Sequence, residues 1–245
     1  MGFGHLFSWG FVLQALALVH FFRRRPEGYW FFVIMFLPTV GALIYFVVEV
    51  VPDFDLLRGM FQRRARRRRI DDLRRIVQEN SAIGNIEELA DLSFDEGQFA
   101  KARELYDKVL ASSQVTSVDP YYRRGLSAIG LGDAAAAVRD LERVVASEPK
   151  YDIYRAAGLL AHAYALAGRH EQAEAQFKAA TDLSTLSETY YNYAAFLLSQ
   201  QRPAEAREWA QKILAKKTTM PRFARRRERP WFNRASALLK KIPSA

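Results

Sequence analysis

Four histidines, His5, His20, His162 and His170, are the only imidazoles in a chain that has no cysteine. Without a thiol there is no thiolate metal site, no cysteine nucleophile and no disulfide. His170 and Glu174 stand one helical turn apart on a shared face, yet two such ligands make a poor metal site. His162 is a lone histidine of the sort that more often serves as a contact or a cap than as a base. No glycine-rich phosphate loop and no nucleophile elbow occurs. These residues predict neither an enzyme nor a metal or cofactor site.

The other chemically loaded stretch is FQRRARRRRIDDLRR, Phe61 to Arg75, with eight arginines in fifteen residues. Residues 1 to 57 sum to −1, residues 58 to 75 to +7, residues 76 to 220 to −4 and residues 221 to 245 to +7, which together give the net +9. Two short basic segments therefore flank a long, mildly acidic middle. Phosphate contacts alone could give nonspecific nucleic-acid affinity. The runs, however, hold few aromatics for stacking and belong to no base-reading module, so nucleic acid is not the expected partner.

Two apolar stretches precede the arginines: about residues 3 to 22 and 29 to 51, joined by Arg23 to Gly28. At ~1.5 Å rise per residue each could cross a core of roughly 30 Å. A cleaved signal peptide would need a basic start and a small-residue cleavage site, and the stretch shows neither. The reading is a transmembrane hairpin over 1–52. Nine basic residues after the second span against three in the turn place both termini in the cytoplasm. The expected location is the bacterial inner membrane, with two spans, and Arg63, Arg64, Arg66, Arg67, Arg68 and Arg69 would hold that topology or meet anionic phospholipid headgroups.

WFFVIMFLPTVGALIYFVV resembles the N-terminal membrane hairpin of bacterial cardiolipin synthases, through Trp30, Leu37, Pro38, Gly41 and Tyr45. Trp30, Pro38, Gly41 and Tyr45 recur at helical spacing and share a face, on which Gly41 would admit a second helix and Pro38 would kink the span. The resemblance does not bring the enzyme with it. The phospholipase D-type synthases use a paired H-x-K-x-x-x-x-D motif, and no histidine here has lysine two residues on.

After the arginines the chain repeats. Ala102, Ala137, Ala173 and Ala206 occupy one slot, spaced 35, 36 and 33 residues apart. The segments around them, EGQFAKARELYDKVL, LGDAAAAVRDLERVV, AGRHEQAEAQFKAA and QQRPAEAREWAQKIL, resemble the tetratricopeptide repeat (TPR), ~34 residues of helix, turn and helix. A small residue in each first helix, Ala90, Gly125, Ala161 or Ala194, should face the recurrent alanine. The fold class read from this is all-α: a two-helix transmembrane hairpin, then a TPR α-solenoid of about four helix pairs with a C-terminal capping helix. Its parts are a basic juxtamembrane and stalk segment, 53–80, the array, 81–220, and a basic linker with the cap, 221–245. The cap stripe is Trp231, Ala235, Leu238, Leu239 and Ile242, covering the last repeat as such arrays require.

A TPR array presents a concave groove lined by its first helices, which usually holds a peptide or a partner's helix. The groove candidates are Tyr122, Arg123, Arg155, His162, Tyr191 and Asn192, with Glu87 and Asp91 at an acidic entrance that would repel a carboxylate terminus. That entrance, leading to Arg123 and Arg155, suggests a partner of mixed charge. Tyrosine and arginine are the types that make binding hot spots. The expected function is a membrane-anchored scaffold or adaptor that recruits a protein or peptide partner at the cytoplasmic face. The alternative is a lipid-linked envelope factor, with hairpin and arginines on anionic phospholipid.

Overall fold

Proline has no N–H to donate, and its ring disfavours the helical region for the residue before it. Leu37 accordingly leaves helical geometry at φ −123° and ψ 70°. In the computed structural model of the chain the first apolar stretch forms α1 (Phe3–Arg24), whereas the second is divided into α2 (Tyr29–Phe36), α3 (Pro38–Tyr45) and a π-helical turn (Phe46–Val50). The structure describes residues 3–24, 28–50, 55–112 and 116–242, with side chains described for 10–22, 28–37, 39–48, 65–112, 116–221 and 224–242.

That division corrects the membrane reading. α2 and α3 have 8 residues each, a reach of about 12 Å against a core of roughly 30 Å. α1 has the length, but its apolar run is interrupted by Gln14, whose Nε2 donates to the Ile34 carbonyl at 3.0 Å, and by His20, whose Nδ1 lies 2.9 Å from the Tyr45 hydroxyl. Among the described residues no helix is long and apolar enough to cross a membrane. The two expected spans, and the inner-membrane location and topology built on them, are overturned. The topology role expected of Arg66, Arg67, Arg68 and Arg69 rested on those spans, and the side chains of Arg63 and Arg64 lie outside the described residues.

The chain forms two compact units, Met1–Arg69 and Ile70–Ala245, and their boundary falls inside α4 (Asp55–Glu79). In the first unit Trp30, Ile34, Ala42 and Tyr45 are buried with Ala17 of α1, and the Trp30 and Tyr45 rings meet edge to face at 5.4 Å. The close approach of helices comes at Gly10, where an added Cβ would lie 2.7 Å from Thr39 Oγ1. Gly41 is instead confined by its own break, since a Cβ there would fall 2.1 Å from the Val33 carbonyl oxygen. Pro38 sits at the start of α3, the position where a missing N–H costs nothing.

The second unit is a helical solenoid in which α5 (Ile83–Asp95), α7 (Asp119–Leu131), α9 (Arg155–Leu166) and α11 (Ser187–Ser199) are the first helices of four pairs. Their partners are α6 (Phe99–Leu110), α8 (Ala134–Ser147), α10 (His170–Leu183) and α12 (Pro203–Thr219). Ala102, Ala137, Ala173 and Ala206 are fully buried, as are Ala90, Ala161 and Ala194. Gly125 abuts α8, with an added Cβ 3.2 Å from Leu141 Cγ. Three of the tight turns use Gly97, Gly132 and Gly168 at φ 76°, 76° and 72°; the fourth, which has no glycine, places Gln201 there at φ 59°. Pro203 then opens α12.

Each end of the solenoid is closed. Ile70 and Leu73 of α4 are buried against Ile86 and Leu89 of α5 and Leu105 and Tyr106 of α6. At the other end α13 (Arg222–Lys241) buries Phe232, Ala235 and Leu238, with Ile242 just beyond it, in the core that runs through α7 to α12. Among the described residues there is no strand.

Candidate functional site

Arg155 and Glu188 fall 33 residues apart, in one slot of the repeat at the start of successive first helices, while Tyr122 stands one helical turn into α7. Their three side chains form a ladder. Arg155 Nη1 donates to the Tyr122 hydroxyl at 3.1 Å, and its Nε and Nη2 donate to the two Glu188 carboxylate oxygens at 2.5 and 3.3 Å. Although burial opposes the charge, Glu188 beside it holds the Arg155 guanidinium above its ordinary range.

A second ladder runs alongside. The Tyr106 hydroxyl donates to Asp91 Oδ1 at 2.5 Å, and Arg123 Nε lies 3.5 Å from that same oxygen while donating to Asp119 Oδ2 at 3.0 Å. The Tyr151 hydroxyl donates to the other Asp119 oxygen. Tyr122 donates to Asp152 Oδ2 at 2.8 Å, and its ring stands 4.8 Å from that of Tyr151. Burial, reinforced by these carboxylates, pushes the Tyr106 and Tyr151 phenols up, so both remain neutral donors.

Beside these ladders opens a cavity of about 450 Å³. Asp119, Tyr122, Arg123 and Leu126 of α7 form one wall, Phe94 of α5 another, and Tyr151, Asp152 and Arg155 the third. The third wall has an unusual backbone. Asp152, Ile153 and Tyr154 hold φ of 48°, 54° and 64° in succession. A left-handed residue other than glycine costs roughly 1–2 kcal/mol, and such strain persists only where the surroundings over-determine it. Here the Tyr122 and Arg155 contacts to Asp152 and the helix start at Arg155 fix both ends of the turn.

The remaining sequence candidates lie elsewhere. His162 is half-buried on α9, where desolvation holds its imidazole below the ordinary 6.5 against an opposing pull from Glu188. Tyr191 packs its ring 5.8 Å from Trp231 of α13, with Arg234 over both, so the cap covers it; Asn192 is its half-buried neighbour. Among the described residues no group of three or more histidine, aspartate or glutamate side chains could hold a metal ion. Sequence reasoning missed Asp119, Tyr151, Asp152 and Glu188. Of these Glu188 was within reach, since it stands one repeat beyond Arg155.

Two tetratricopeptide repeat models match the chain, one over residues 122–188 and the other over 187–212. No curated protein matches it. Among solved structures it is similar to YrrB, described as a TPR protein with an unusual peptide-binding site, at 18% identity and a TM-score of 0.52 over 64% of this chain and 79% of that one. It is also similar to MamA from Desulfovibrio magneticus RS-1, at 22% identity and 0.56 over 68% and 96%. A thermophilic TPR protein of Thermus thermophilus, TTC0263, aligns at 20% and 0.54 over 75% and 96%. The second unit has the fold of a TPR solenoid, with repeats matched over residues 122–212. Neither repeat model reaches the N-terminal unit, and the expected likeness of residues 1–52 to the cardiolipin synthase hairpin has no support in these comparisons.

Proposed function

We propose that the array is a non-enzymatic interaction scaffold that holds a peptide segment of a partner protein against its first helices, at the cavity between α5, α7 and residues 151–155. The observation that carries this reading is the cavity itself. Its volume of about 450 Å³ is walled by tyrosine and arginine side chains whose positions are fixed by two hydrogen-bonded ladders. Side chains already ordered before binding lose little entropy when a partner arrives. Tyrosine and arginine are the commonest hot-spot types, and TPR grooves in general take peptides or helices. The similarity to YrrB, with its peptide-binding site, agrees with the reading without fixing the partner. Nothing comparable supports the lipid-linked alternative, in which hairpin and arginine runs engage anionic phospholipid or a lipid enzyme: among the described residues no helix is long and apolar enough to cross a membrane.

The test is a selection of displayed peptides on the full chain, followed by binding to Leu126→Arg and Leu183→Arg. Leu126 lines the cavity, whereas Leu183 is exposed on α10. Selected peptides should lose at least about tenfold on Leu126→Arg, in line with a hot-spot loss above ~1.4 kcal/mol, and keep their affinity for Leu183→Arg. Equal binding to Leu126→Arg and wild type would place the site elsewhere.

A further inference from the structure

We infer that the segment held in this cavity inserts a lysine or arginine side chain between the tyrosine rings and the carboxylates; the inference rests on the cavity being the peptide site. Asp119 and Asp152 line it with Arg123 and Arg155. Three further carboxylates act on those groups: Asp91 beside Arg123, Glu188 beside Arg155, and Glu87 within electrostatic reach of Asp91, Asp119 and Arg123. Five carboxylates against two guanidinium groups leave three negative charges uncompensated. Both arginines are already engaged. Arg123 contacts Asp91 and Asp119, and Arg155 contacts Asp152 and Glu188. The partner of mixed charge that the sequence suggested would have needed those guanidinium groups free.

Glu87 is the group with most to gain. Among the described residues it has neither a hydrogen bond nor an ion pair. It lies one helical turn before Asp91 on the same face of α5. Burial, then repulsion from Asp91 and Asp119, raises its carboxyl above the ordinary 4.5. An acidic or neutral ligand would leave that repulsion in place, whereas a cation would relieve it.

The walls suit the rest of such a side chain. The rings of Tyr122 and Tyr151, 4.8 Å apart, with Phe94 and Leu126, give apolar surface for a methylene stem, and the ring faces favour a cation beside them. The ring and leucine surfaces and the charge excess thus converge on a long, cationic, amphipathic side chain. A chloride, a phosphate or a carboxylate terminus fits neither.

The experiment uses two pools of end-blocked twelve-residue peptides, random over neutral residues except for a fixed central residue. That residue is arginine in one pool and citrulline, its uncharged isostere, in the other, and binding to the full chain is read by fluorescence polarisation. The arginine pool should bind roughly threefold to fivefold more tightly, the upper range for a partly exposed charge pair. The preference should shrink in Glu87→Gln and in Asp152→Asn, and in high salt. Equal binding of the two pools overturns the cationic reading while leaving the peptide site standing. Binding of neither pool overturns both.

Discussion

Arg155 and Glu188 occupy equivalent positions in successive repeats, and the guanidinium of the first donates to both carboxylate oxygens of the second, at 2.5 and 3.3 Å. The pairing ties α9 to α11 and holds Arg155 against the Tyr122 hydroxyl. A repeat that stacks like positions has placed two unlike side chains so that each completes the other.

A double-mutant cycle with Arg155→Met and Glu188→Gln, followed by urea unfolding, should give a coupling of about 1 kcal/mol. The side chains are 37% and 19% exposed, so the value lies well under that of a fully buried pair. Coupling should weaken in high salt. Additive single losses would mean that the bidentate contact does not form in solution.

Glu87 offers a prediction with a definite sign. Its folded carboxyl is raised above the ordinary 4.5, by burial first and by Asp91 and Asp119 next. The folded state therefore holds that proton more tightly than the unfolded chain, and stability is lost as pH rises through the interval between the two values. Glu87→Gln should gain a few tenths of a kcal/mol at about pH 7, discounted for its exposure, and the gain should vanish below the ordinary value. A variant less stable than wild type at neutral pH would contradict the repulsion.

Ile153→Asn should stabilise the protein by about 1 kcal/mol, because asparagine tolerates the left-handed region that isoleucine resists. Ile153 has φ 54° and is 76% exposed, so little burial is given up. Thermal unfolding measures this directly, and a lowered midpoint would show that the isoleucine side chain has a contact worth more than its strain.

Gly158→Ala should destabilise by about 2 kcal/mol, the cost of overpacking a tight helix contact. The added Cβ would fall 2.3 Å from Thr189 Oγ1 and 2.9 Å from its Cγ2. Thr189 is buried on α11 and cannot swing away. Combining the change with Thr189→Ala removes both atoms and should recover over half of the loss in urea titrations. A double variant no better than Gly158→Ala would place the clash elsewhere.

The repeat was legible because its requirement is local and periodic. A fully buried alanine every 33 to 36 residues is a packing constraint written directly into residue type. The apolar hairpin misled because hydropathy reads composition over a window, whereas Pro38 breaks the helix at one bond, and Gln14 and His20 turn inward to specific partners. The site was half visible. Tyr122, Arg123 and Arg155 announced themselves by type on a first helix. Asp152 and Tyr151 did not, since a left-handed turn built without glycine has no sequence signature. Tyr191 sits on the expected face, but the cap that covers it comes from α13, forty residues along the chain, and spacing within a repeat cannot report that.

Site-specific photo-crosslinking tests the central claim most directly. A photoreactive phenylalanine analogue is placed in the full chain at Leu126 in the cavity wall or at Leu183 on α10, and adducts formed in the native host are compared. A partner adduct from position 126 that is absent from position 183, and that is competed away by the arginine-centred peptide pool, is the result expected. The same adduct from position 183 with none from position 126 would contradict the account.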